Sequence, residues 1–156
     1  MTIVGLISDT HGLLRPEAVE VLKGSDLIVH AGDIGSIDVV EALSEIAPVV
    51  AVRGNVDKGE WAGQFPEDEV VEVPGTGKFL YVLHNVHDLD LDPAAAGFDV
   101  VISGHSHRPG IKKRGDVLFV NPGSAGPRRF TLPIATGTLK ISAQGIEAHI
   151  HELILL

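Results

Sequence analysis

Seven residues with metal-binding side chains follow directly after predicted strands in this chain. They stand in five short segments, Asp9-Thr10-His11, Gly32-Asp33, Gly54-Asn55, Leu83-His84 and Gly104-His105-Ser106-His107. In sheets of parallel strands, sites form at the carboxyl ends of the strands. If the five segments meet at one edge, they bring two carboxylates, four imidazoles and one amide together. We call Asp9, His11, Asp33, Asn55, His84, His105 and His107 the ligand set.

This mixture of donors suits two divalent metal ions. Imidazole, carboxylate and amide ligands together favour Mn, Fe, Zn or Ni over calcium, which prefers oxygen ligands alone. Asp9 and His11 are two residues apart, as are His105 and His107, so in an extended segment each pair would point the same way. The glycine before Asp33 lets the backbone approach closely. One carboxylate with two oxygens can bridge two ions.

Each motif taken alone also has an ordinary structural explanation. An Asp-x-His pair is common by chance, and Gly-Asp and Gly-Asn are turn sequences more often than ligand pairs. The order of the motifs, each after its own strand, favours a metal site over coincidence.

Composition narrows the chemistry further. The chain has 156 residues, a net charge of −9, eight histidines and no cysteine. The absence of cysteine excludes a disulfide scaffold, a thiolate zinc site, an iron–sulfur cluster and a cysteine nucleophile. The acidic balance argues against an extended nucleic-acid surface, which needs a basic stripe. No signal-peptide pattern or apolar run of about 18 residues is present, so we expect a cytoplasmic protein without a membrane partner.

The first third of the chain predicts parallel strands with helices packed outside them. Continuous apolar runs predict buried strands, and apolar stripes at helical spacing predict helices that begin at a proline and at a capping serine. The predicted order is strand Ile3–Ser8, helix Pro16–Lys23, strand Asp26–His30, helix Ser36–Ile46 and strand Pro48–Arg53. This βαβαβ pattern places the carboxyl ends of the three strands at one edge.

The second half predicts mostly antiparallel strands. Val70–Val73 and Lys78–His84 flank a Pro-Gly-Thr-Gly turn and predict a hairpin. The other predicted strands are Asp99–Ser103, Val117–Asn121, Ile134–Ile141 and Ile146–Leu155. No linker or repeat interrupts the chain, so we predict one α/β domain over residues 1–156 with two sheets.

The order of these motifs resembles the calcineurin-like metallophosphoesterases, and in particular their small bacterial and archaeal phosphodiesterases of the YfcE type. The segment Asn121-Pro122-Gly123-Ser124 is also similar to one typical of that group. The resemblance covers essentially the whole chain. It implies a sandwich of two mixed β-sheets flanked by α-helices. It also implies that dimers or higher oligomers occur.

The resemblance implies a role for each member of the ligand set. Asp9, His11 and His107 would hold one metal ion, and Asn55, His84 and His105 the second. Asp33 would bridge both ions. Mn is the expected metal, with Ni, Fe, Zn or Mg as substitutes.

The same resemblance implies hydrolysis of small phosphodiesters. A hydroxide that bridges the two ions would attack phosphorus, so no protein nucleophile is required. Asp33, Asn55 and His84 would be the catalytic residues, and Asn55 and Arg108 would contact the substrate. Two positions depart from the wider pattern. Val56 stands where a histidine often follows Gly-Asn, so leaving-group protonation is in question, and Asn85 stands where relatives usually have glycine.

Several other polar residues have two interpretations. His30 is interpreted as a buried supporting residue rather than a ligand, and His87 as an exposed loop residue rather than a proton donor. His149 and His151 share His-x-His spacing but lack an accompanying carboxylate, so we assign them to an exposed strand face. Asp57 either orients a ligand of the site or belongs to a turn.

The remaining candidates lie in loops. Arg128 and Arg129 could hold a phosphate, although their Gly/Pro-rich loop favours solvation or a subunit contact. Trp61 and Phe65 could cover a substrate, whereas packing is the simpler interpretation.

Three functions compete at this point. The first is the dinuclear phosphodiesterase. The second is a scaffold protein with the same fold, resembling the metallophosphoesterase-like subunit of the retromer coat, and the intact ligand set favours the enzyme. The third is a nuclease for long polymers, which the charge of −9 opposes.

Overall fold

Two five-stranded β-sheets form the computed structural model of this chain, which describes residues 1–155. The strands in chain order are β1 (Thr2–Ile7), β2 (Leu27–His30), β3 (Val49–Ala51), β4 (Asp68–Val73), β5 (Lys78–Leu83), β6 (Val100–Ile102), β7 (Gly110–Arg114), β8 (Val117–Asn121), β9 (Ala135–Ser142) and β10 (Gly145–Glu152). The first sheet has the order β10-β9-β1-β2-β3, and the second β4-β5-β6-β8-β7. The helices are α1 (Pro16–Leu22) and α2 (Ile37–Ser44), with short 3-10 helices at Trp61–Gln64 and Val86–Asp88.

Both sheets are mixed. In the first sheet β1, β2 and β3 are parallel, as the βαβαβ pattern predicts, and β9 and β10 add antiparallel pairs. In the second sheet β5, β6 and β8 are parallel to one another, so the prediction of a mostly antiparallel second half is wrong for its three central strands. The fold class implied by the resemblance, a sandwich of two mixed sheets with helices, is confirmed.

No pattern in the sequence predicted strand β7. All of its residues, Gly-Ile-Lys-Lys-Arg, are exposed, so it has no apolar face to give a pattern. It pairs along the edge of the second sheet with β8, where charged side chains also protect an open strand from pairing with another chain.

The main core lies between the two sheets. Its buried side chains alternate along the strands, with Val4 and Leu6 from β1 packed in one cluster with Leu80 and Val82 from β5. A second cluster fills the space between the first sheet and the two helices, where Ile7 and Ile28 meet Leu22 of α1 and Leu43 of α2. The helices therefore pack against the outer face of β1 and β2, the strands that lead to Asp9 and Asp33.

The helix boundaries have local causes. Proline occupies the first turn of α1, where no backbone donor is needed. The Ser36 side chain accepts a hydrogen bond from Asp38 N and caps α2, as predicted. None of the helices in residues 1–155 is long and apolar enough to cross a membrane.

Candidate metal centre

The loops after β1, β2, β3, β5 and β6 carry the ligand set, and backbone hydrogen bonds hold several of these loops together. Asp9 N donates to Gly32 O (3.0 Å) and His11 N donates to Asp33 O (2.9 Å), so the first two loops run side by side. Gly104 N donates to His84 O (2.8 Å) and joins the loops that follow β5 and β6. The carboxyl ends of parallel strands in both sheets thus face one centre.

Two tight groups of potential ligand atoms form there. Asp9, His11 and His107 make one group, and Asp9, Asp33 and His84 make the other, with the atoms of each group within 4.8 Å of one another. Oδ1 of Asp9 lies 3.3 Å from Nε2 of His107 and 3.8 Å from Nε2 of His84. Oδ2 of Asp33 lies 3.2 Å from Nε2 of His84 and 3.7 Å from Nε2 of His11. Asp9 and Asp33 therefore both lie between imidazoles of the two groups.

The remaining two members of the ligand set border these groups. The ring of His105 lies edge-on to that of His84, with ring centroids 5.2 Å apart. Asn55 lines the same cleft as His84 and is exposed to solvent. His105 belongs to neither tight group of imidazole and carboxylate atoms within residues 1–155.

Buried polar atoms without hydrogen-bond partners concentrate at this centre. In residues 1–155 there are five such side-chain atoms, and four of them are Asp9 Oδ1, His11 Nε2, His84 Nε2 and His107 Nδ1. A buried polar atom without a partner is costly, and a bound cation would satisfy carboxylate oxygens and unprotonated imidazole nitrogens alike. The residues present thus fit a metal centre made of nitrogen and oxygen donors.

Five members of the ligand set have left-handed backbone conformations. The φ angles are 55° for Asp9, 48° for His11, 54° for Asp33, 70° for His105 and 62° for His107. Such angles are uncommon outside glycine and mark functional positions when they cluster. The expectation that Asp9 and His11, or His105 and His107, share a direction because their segments are extended is therefore wrong. Sharp left-handed turns bring Asp9, His11 and His107 together.

Glycines precede the ligands because there is no space for a side chain. A Cβ atom on Gly32 would lie 2.7 Å from Nδ1 of His84, and one on Gly104 would collide with Oγ of Ser8. The prediction of a close backbone approach before Asp33 is confirmed at Gly32, and here the neighbour is the His84 ring.

In both Asp33 and His84, a hydrogen bond holds one polar atom of the side chain and leaves the second polar atom available to a metal. Oδ1 of Asp33 accepts from the backbone N–H of Val56 (3.1 Å), which leaves Oδ2 directed at the imidazoles. Nδ1 of His84 lies 2.8 Å from the carbonyl oxygen of Ala31, so this nitrogen donates and Nε2 is the free one. Outer partners of this kind orient metal ligands and select their tautomer.

Asp57 fastens two ligand loops to each other. Its carboxylate is buried and accepts from three backbone N–H groups, those of Ile34 (3.0 Å), Gly35 (2.9 Å) and Gly54 (2.9 Å). Asp57 thus holds the segments that carry Asp33 and Asn55 together through their backbones. Asp57 also closes a turn with its N–H donating to Gly54 O (3.3 Å), as one of the two sequence interpretations predicted, but the contacts of its carboxylate with Ile34 and Gly35 were not predicted.

His30 supports the loop after β1. Its ring is fully buried, Nδ1 accepts from Gly32 N (3.1 Å), and Nε2 lies 3.0 Å from Oγ1 of Thr10. Burial is the largest influence on the pKa of His30 and lowers it to about 4, against smaller opposing effects of Asp9 and Asp57. His30 is therefore neutral and structural near pH 7, which agrees with its interpretation as a supporting residue.

The segment from Asn121 to Ser124 closes the centre from the side of β8. The Asn121 amide donates to the carbonyl oxygen of Gly104 (2.9 Å), and the Ser124 hydroxyl donates to that of Asp9 (3.1 Å). In the sequence, this segment stands out only through the resemblance. Its structural role is to hold the loops of Asp9 and His105 in place.

Opposite charges at the centre shift the pKa values of two ligands. Burial raises the pKa of Asp33, but the adjacent His84 imidazole, the Val56 N–H and the charge of His11 outweigh burial and lower it to about 2. Burial lowers the pKa of His84, but Asp33, Asp9 and the Ala31 carbonyl outweigh it and raise the pKa. Asp33 is thus a carboxylate at neutral pH, ready to face cations.

A cleft of about 400 Å³ opens beside the second group. It is lined by Asn55, His84 and Asn85, and also by exposed charged side chains. The Asn85 side chain accepts a hydrogen bond from His87 N (3.1 Å), so it caps the short helix at Val86–Asp88 and also narrows the cleft. The capping hydrogen bond gives Asn85 a structural role at the position where relatives usually have glycine.

The arginine that lines this cleft is not the predicted one. Arg108 is exposed and does not line the cleft, whereas Arg53 does. Arg53 donates to the carbonyl oxygen of Phe65 (2.8 Å) and pairs with Glu67 (3.3 Å). Its position at the end of the predicted strand Pro48–Arg53, directly before Gly54, was a signal that could have identified it.

Other candidates lie outside the centre. His149 is exposed on β10, while His151 is half-buried and its Nε2 lies 2.9 Å from Oγ1 of Thr138, so only His149 fits the predicted exposed face. Trp61 packs edge-to-face with Phe65 (6.4 Å between centroids), and both contact the core between helices and sheet. Packing therefore explains the two aromatic residues.

Comparison with known proteins finds similar sequences. The model of the calcineurin-like phosphoesterase superfamily domain matches residues 1–144. A probable metallophosphoesterase of Methanothermobacter thermautotrophicus is 34% identical over 95% of this chain and 91% of its own length. The phosphodiesterase YfcE of Escherichia coli K12 is 29% identical over 85% of this chain and 84% of its own.

Solved structures show the same fold. A novel archaeal phosphodiesterase superposes with a TM-score of 0.75 at 25% identity, covering 96% of this chain and 100% of that one. Vacuolar protein sorting 29 of Chaetomium thermophilum superposes with a TM-score of 0.75 at 18% identity over 98% of each chain. At that lower identity the likeness concerns the fold alone.

Proposed function

This chain belongs to the calcineurin-like phosphoesterase superfamily, and from that premise we propose that it is a dinuclear metal-dependent phosphodiesterase of small phosphodiesters. The observation that carries the proposal is the buried, unpartnered Oδ1 of Asp9, which lies 3.9 Å from the unpartnered Nε2 of His11 and 3.8 Å from the unpartnered Nε2 of His84. Phosphodiesterase relatives support the reaction class, and the donor set supports the need for metal.

Asp9, His11 and His107 would hold the first ion, and Asn55, His84 and His105 the second. Asp33, whose free Oδ2 lies near both His84 and His11, would bridge the two. When bound, two divalent ions supply an activated water and neutralise charge on the phosphoryl oxygens. Manganese is the proposed metal because nitrogen and oxygen donors without thiolate accept it readily.

The chain's own residues have three tasks in this reaction. Asp33 stays ionised because its pKa is lowered to about 2, so it keeps its charge toward the metals over the neutral range. The Ala31 carbonyl fixes the ring of His84 so that Nε2 faces the centre. Asn55 offers a neutral amide that lines the cleft, where it can hydrogen-bond a phosphoryl oxygen.

The substrate is proposed to be small. The chain has a net charge of −9, which disfavours an extended polyanion such as a nucleic acid. Phosphate would be held chiefly at the metal centre, with Arg53 rather than Arg108 as the nearby cation of the cleft.

A direct experiment measures metal content and hydrolysis of bis(p-nitrophenyl) phosphate with Mn, Ni, Fe and Zn. Wild-type protein is expected to bind two ions per chain and to release p-nitrophenol. Asp33→Ala and His84→Ala are expected to lose at least about 100-fold in kcat/KM, since each removes a ligand of the centre. A correctly folded, metal-loaded wild type that hydrolyses no diester contradicts the proposal.

A scaffold role is the second candidate. Vacuolar protein sorting 29 shares this fold over nearly the whole chain, so the fold is compatible with such a role. Under this alternative the centre binds metal, but diesters are not hydrolysed with any of the four metals. The activity assay therefore separates the two candidates, while metal binding alone does not.

A further inference from the structure

Asn85 lies beside the metal centre, directly after the ligand His84 in the loop that follows β5. It is half-buried and lines the cleft that Asn55 and His84 also line. A Cβ atom on Gly32 would lie 2.7 Å from Nδ1 of His84 and 3.0 Å from the backbone nitrogen of Gly54, so both of these residues pack against the same glycine. The loops that carry Asn55 and Asn85 are therefore adjacent.

One hydrogen bond determines how the amide of Asn85 is turned. Its Oδ1 accepts from the backbone N–H of His87 over 3.1 Å and caps the short helix Val86–Asp88. A backbone N–H requires an acceptor, so the oxygen of the amide and not its nitrogen occupies this position. The side chain makes no other hydrogen bond with the described residues 1–155, so Nδ2 keeps both of its N–H donors free.

Two other side-chain donors along this cleft are already used. Arg53 donates to the carbonyl oxygen of Phe65 (2.8 Å), and the hydroxyl of Tyr81 donates to Oδ2 of Asp68 (2.6 Å). The Nδ2 group of Asn85 lines the same cleft without such a commitment. It is therefore available to a ligand that accepts hydrogen bonds.

A phosphodiester is a ligand of this kind. Its phosphoryl oxygens carry the negative charge and only accept hydrogen bonds, and an amide can donate to them without adding a charge of its own. Hydrogen bonds to charged acceptors are stronger than those between neutral groups. A glycine at position 85 would offer neither the cap nor the donor.

We propose that Asn85 is a substrate-binding residue, which donates through Nδ2 to a phosphoryl oxygen of the bound diester while its Oδ1 stays on His87 N. The inference rests on the proposed phosphodiesterase function. Because the cap already orients the amide, little side-chain freedom is lost when the substrate binds. Asn55 and Asn85 then contact the phosphoryl group from two adjacent loops.

Asn85→Asp separates the two ends of the side chain. The aspartate keeps an oxygen for His87 N, so the cap is retained, but it replaces the donor by a negatively charged acceptor. With Mn-loaded protein, KM for bis(p-nitrophenyl) phosphate is expected to rise by about tenfold or more. The loss is expected mainly in KM, since a contact made equally in the ground state and the transition state contributes to binding. A KM equal to that of the wild type overturns the proposal.

Two further variants separate the lost donor from the added charge. Gln144→Glu adds the same charge at an exposed position in the turn between β9 and β10, and its KM is expected to match the wild type. An equal rise in Gln144→Glu assigns the effect to net charge and contradicts the proposal. Asn85→Gly removes the amide without adding charge and is expected to raise KM by about threefold or more, with urea unfolding as the check that the variant is folded.

The side-chain amide signal of Asn85 provides a readout that needs no turnover. In ¹⁵N-labelled, Zn-loaded protein this signal is identified by its absence from Asn85→Asp, and titration with dimethyl phosphate is expected to shift it. If the signal shifts but bis(p-nitrophenyl) phosphate is not hydrolysed with Mn, Ni, Fe or Zn, the phosphodiesterase proposal fails and the assignment of Asn85 survives. If the diester is hydrolysed and the signal does not move at saturating dimethyl phosphate, the assignment of Asn85 fails alone.

Discussion

The hydroxyl of Ser8 donates a hydrogen bond to Oδ2 of Asp9 over 2.7 Å, and both side chains are completely buried. The backbone N–H of His105 donates to the same oxygen at 3.1 Å. Because two donors hold Oδ2, Oδ1 is left without a hydrogen-bond partner and faces the imidazoles. The residue before the ligand thus determines which oxygen is available to a metal.

Ser8→Ala is therefore expected to weaken metal binding. The remaining donor, His105 N, holds Oδ2 less firmly, and loss of an outer partner typically costs about 10–100-fold in metal affinity or activity. Mn affinity measured by calorimetry checks this expectation. Ser44→Ala, at the exposed end of α2, is the control and should bind Mn like the wild type. Unchanged affinity in Ser8→Ala would show that Asp9 needs no support from Ser8.

Gly54→Ala is expected to disrupt the centre by steric conflict. A Cβ atom on Gly54 would collide with Oδ1 and the backbone nitrogen of Asp33, so Asp33 or its loop must move. Overpacking of this kind costs about 1–3 kcal/mol of unfolding free energy and should also reduce metal affinity. Gly63→Ala is a matched control, because a Cβ there has no atom within 4 Å. Urea unfolding measures the free energy of unfolding of both variants, and titration measures their Mn affinity. Equal values for Gly54→Ala and Gly63→Ala would contradict the prediction.

Asp57→Asn is expected to lower the free energy of unfolding by about 2 kcal/mol, because an amide cannot accept from three backbone N–H groups with two oxygens as the carboxylate does. Chemical denaturation measures the loss, with Asp116→Asn as the exposed control. If both variants are equally stable, Asp57 does not hold the two loops.

The protein is expected to lose stability on acidification through His30. Its pKa is about 4 in the folded state and about 6.5 when unfolded, so between these values the unfolded chain binds a proton that the folded chain does not. Above about pH 6.5 the folded protein keeps its full free energy of unfolding with respect to His30. As the pH is lowered toward 4, that free energy falls by about 3 kcal/mol in total.

The comparison of wild type with His30→Asn isolates this effect. The variant keeps an acceptor for Gly32 N but has no titrating ring, so its stability should fall less steeply between about pH 7 and pH 5. Denaturation curves for metal-free protein at several pH values supply the measurement. Parallel pH profiles for the two proteins would mean that His30 does not titrate on unfolding.

Val56 leads to an expectation about the leaving group. Its backbone N–H holds Asp33, but its side chain is half exposed and cannot donate a proton to an ester oxygen. Activated aryl diesters should therefore react faster than alkyl monoesters such as glycerol phosphate, because a good leaving group departs without protonation. A Val56→His variant should reduce the ratio of the kcat/KM for the aryl diester to that for the alkyl monoester. Faster hydrolysis of the alkyl monoester by the wild type would contradict this reasoning.

Much of the metal centre could be predicted from the sequence. Long apolar runs required strands buried on both faces, and a polar residue directly after such a run has to lie at a sheet edge. The positions of Asp9, Asp33, Asn55 and His84 after β1, β2, β3 and β5 therefore predicted where they would gather. Strand β7 escaped because its exposed, charged residues have no apolar period.

The linear sequence by itself determined the residue types, their order after the strands and the family to which they belong. Only the tertiary structure decided which atoms face each other, since Asp9 lies between both ligand groups and Ser124, 115 residues away, holds its backbone. The left-handed turns at the ligands and the three contacts of Asp57 have the same origin. Each depends on contacts between segments that are far apart in the chain. A local sequence pattern depends only on neighbouring residues, so it does not predict such contacts.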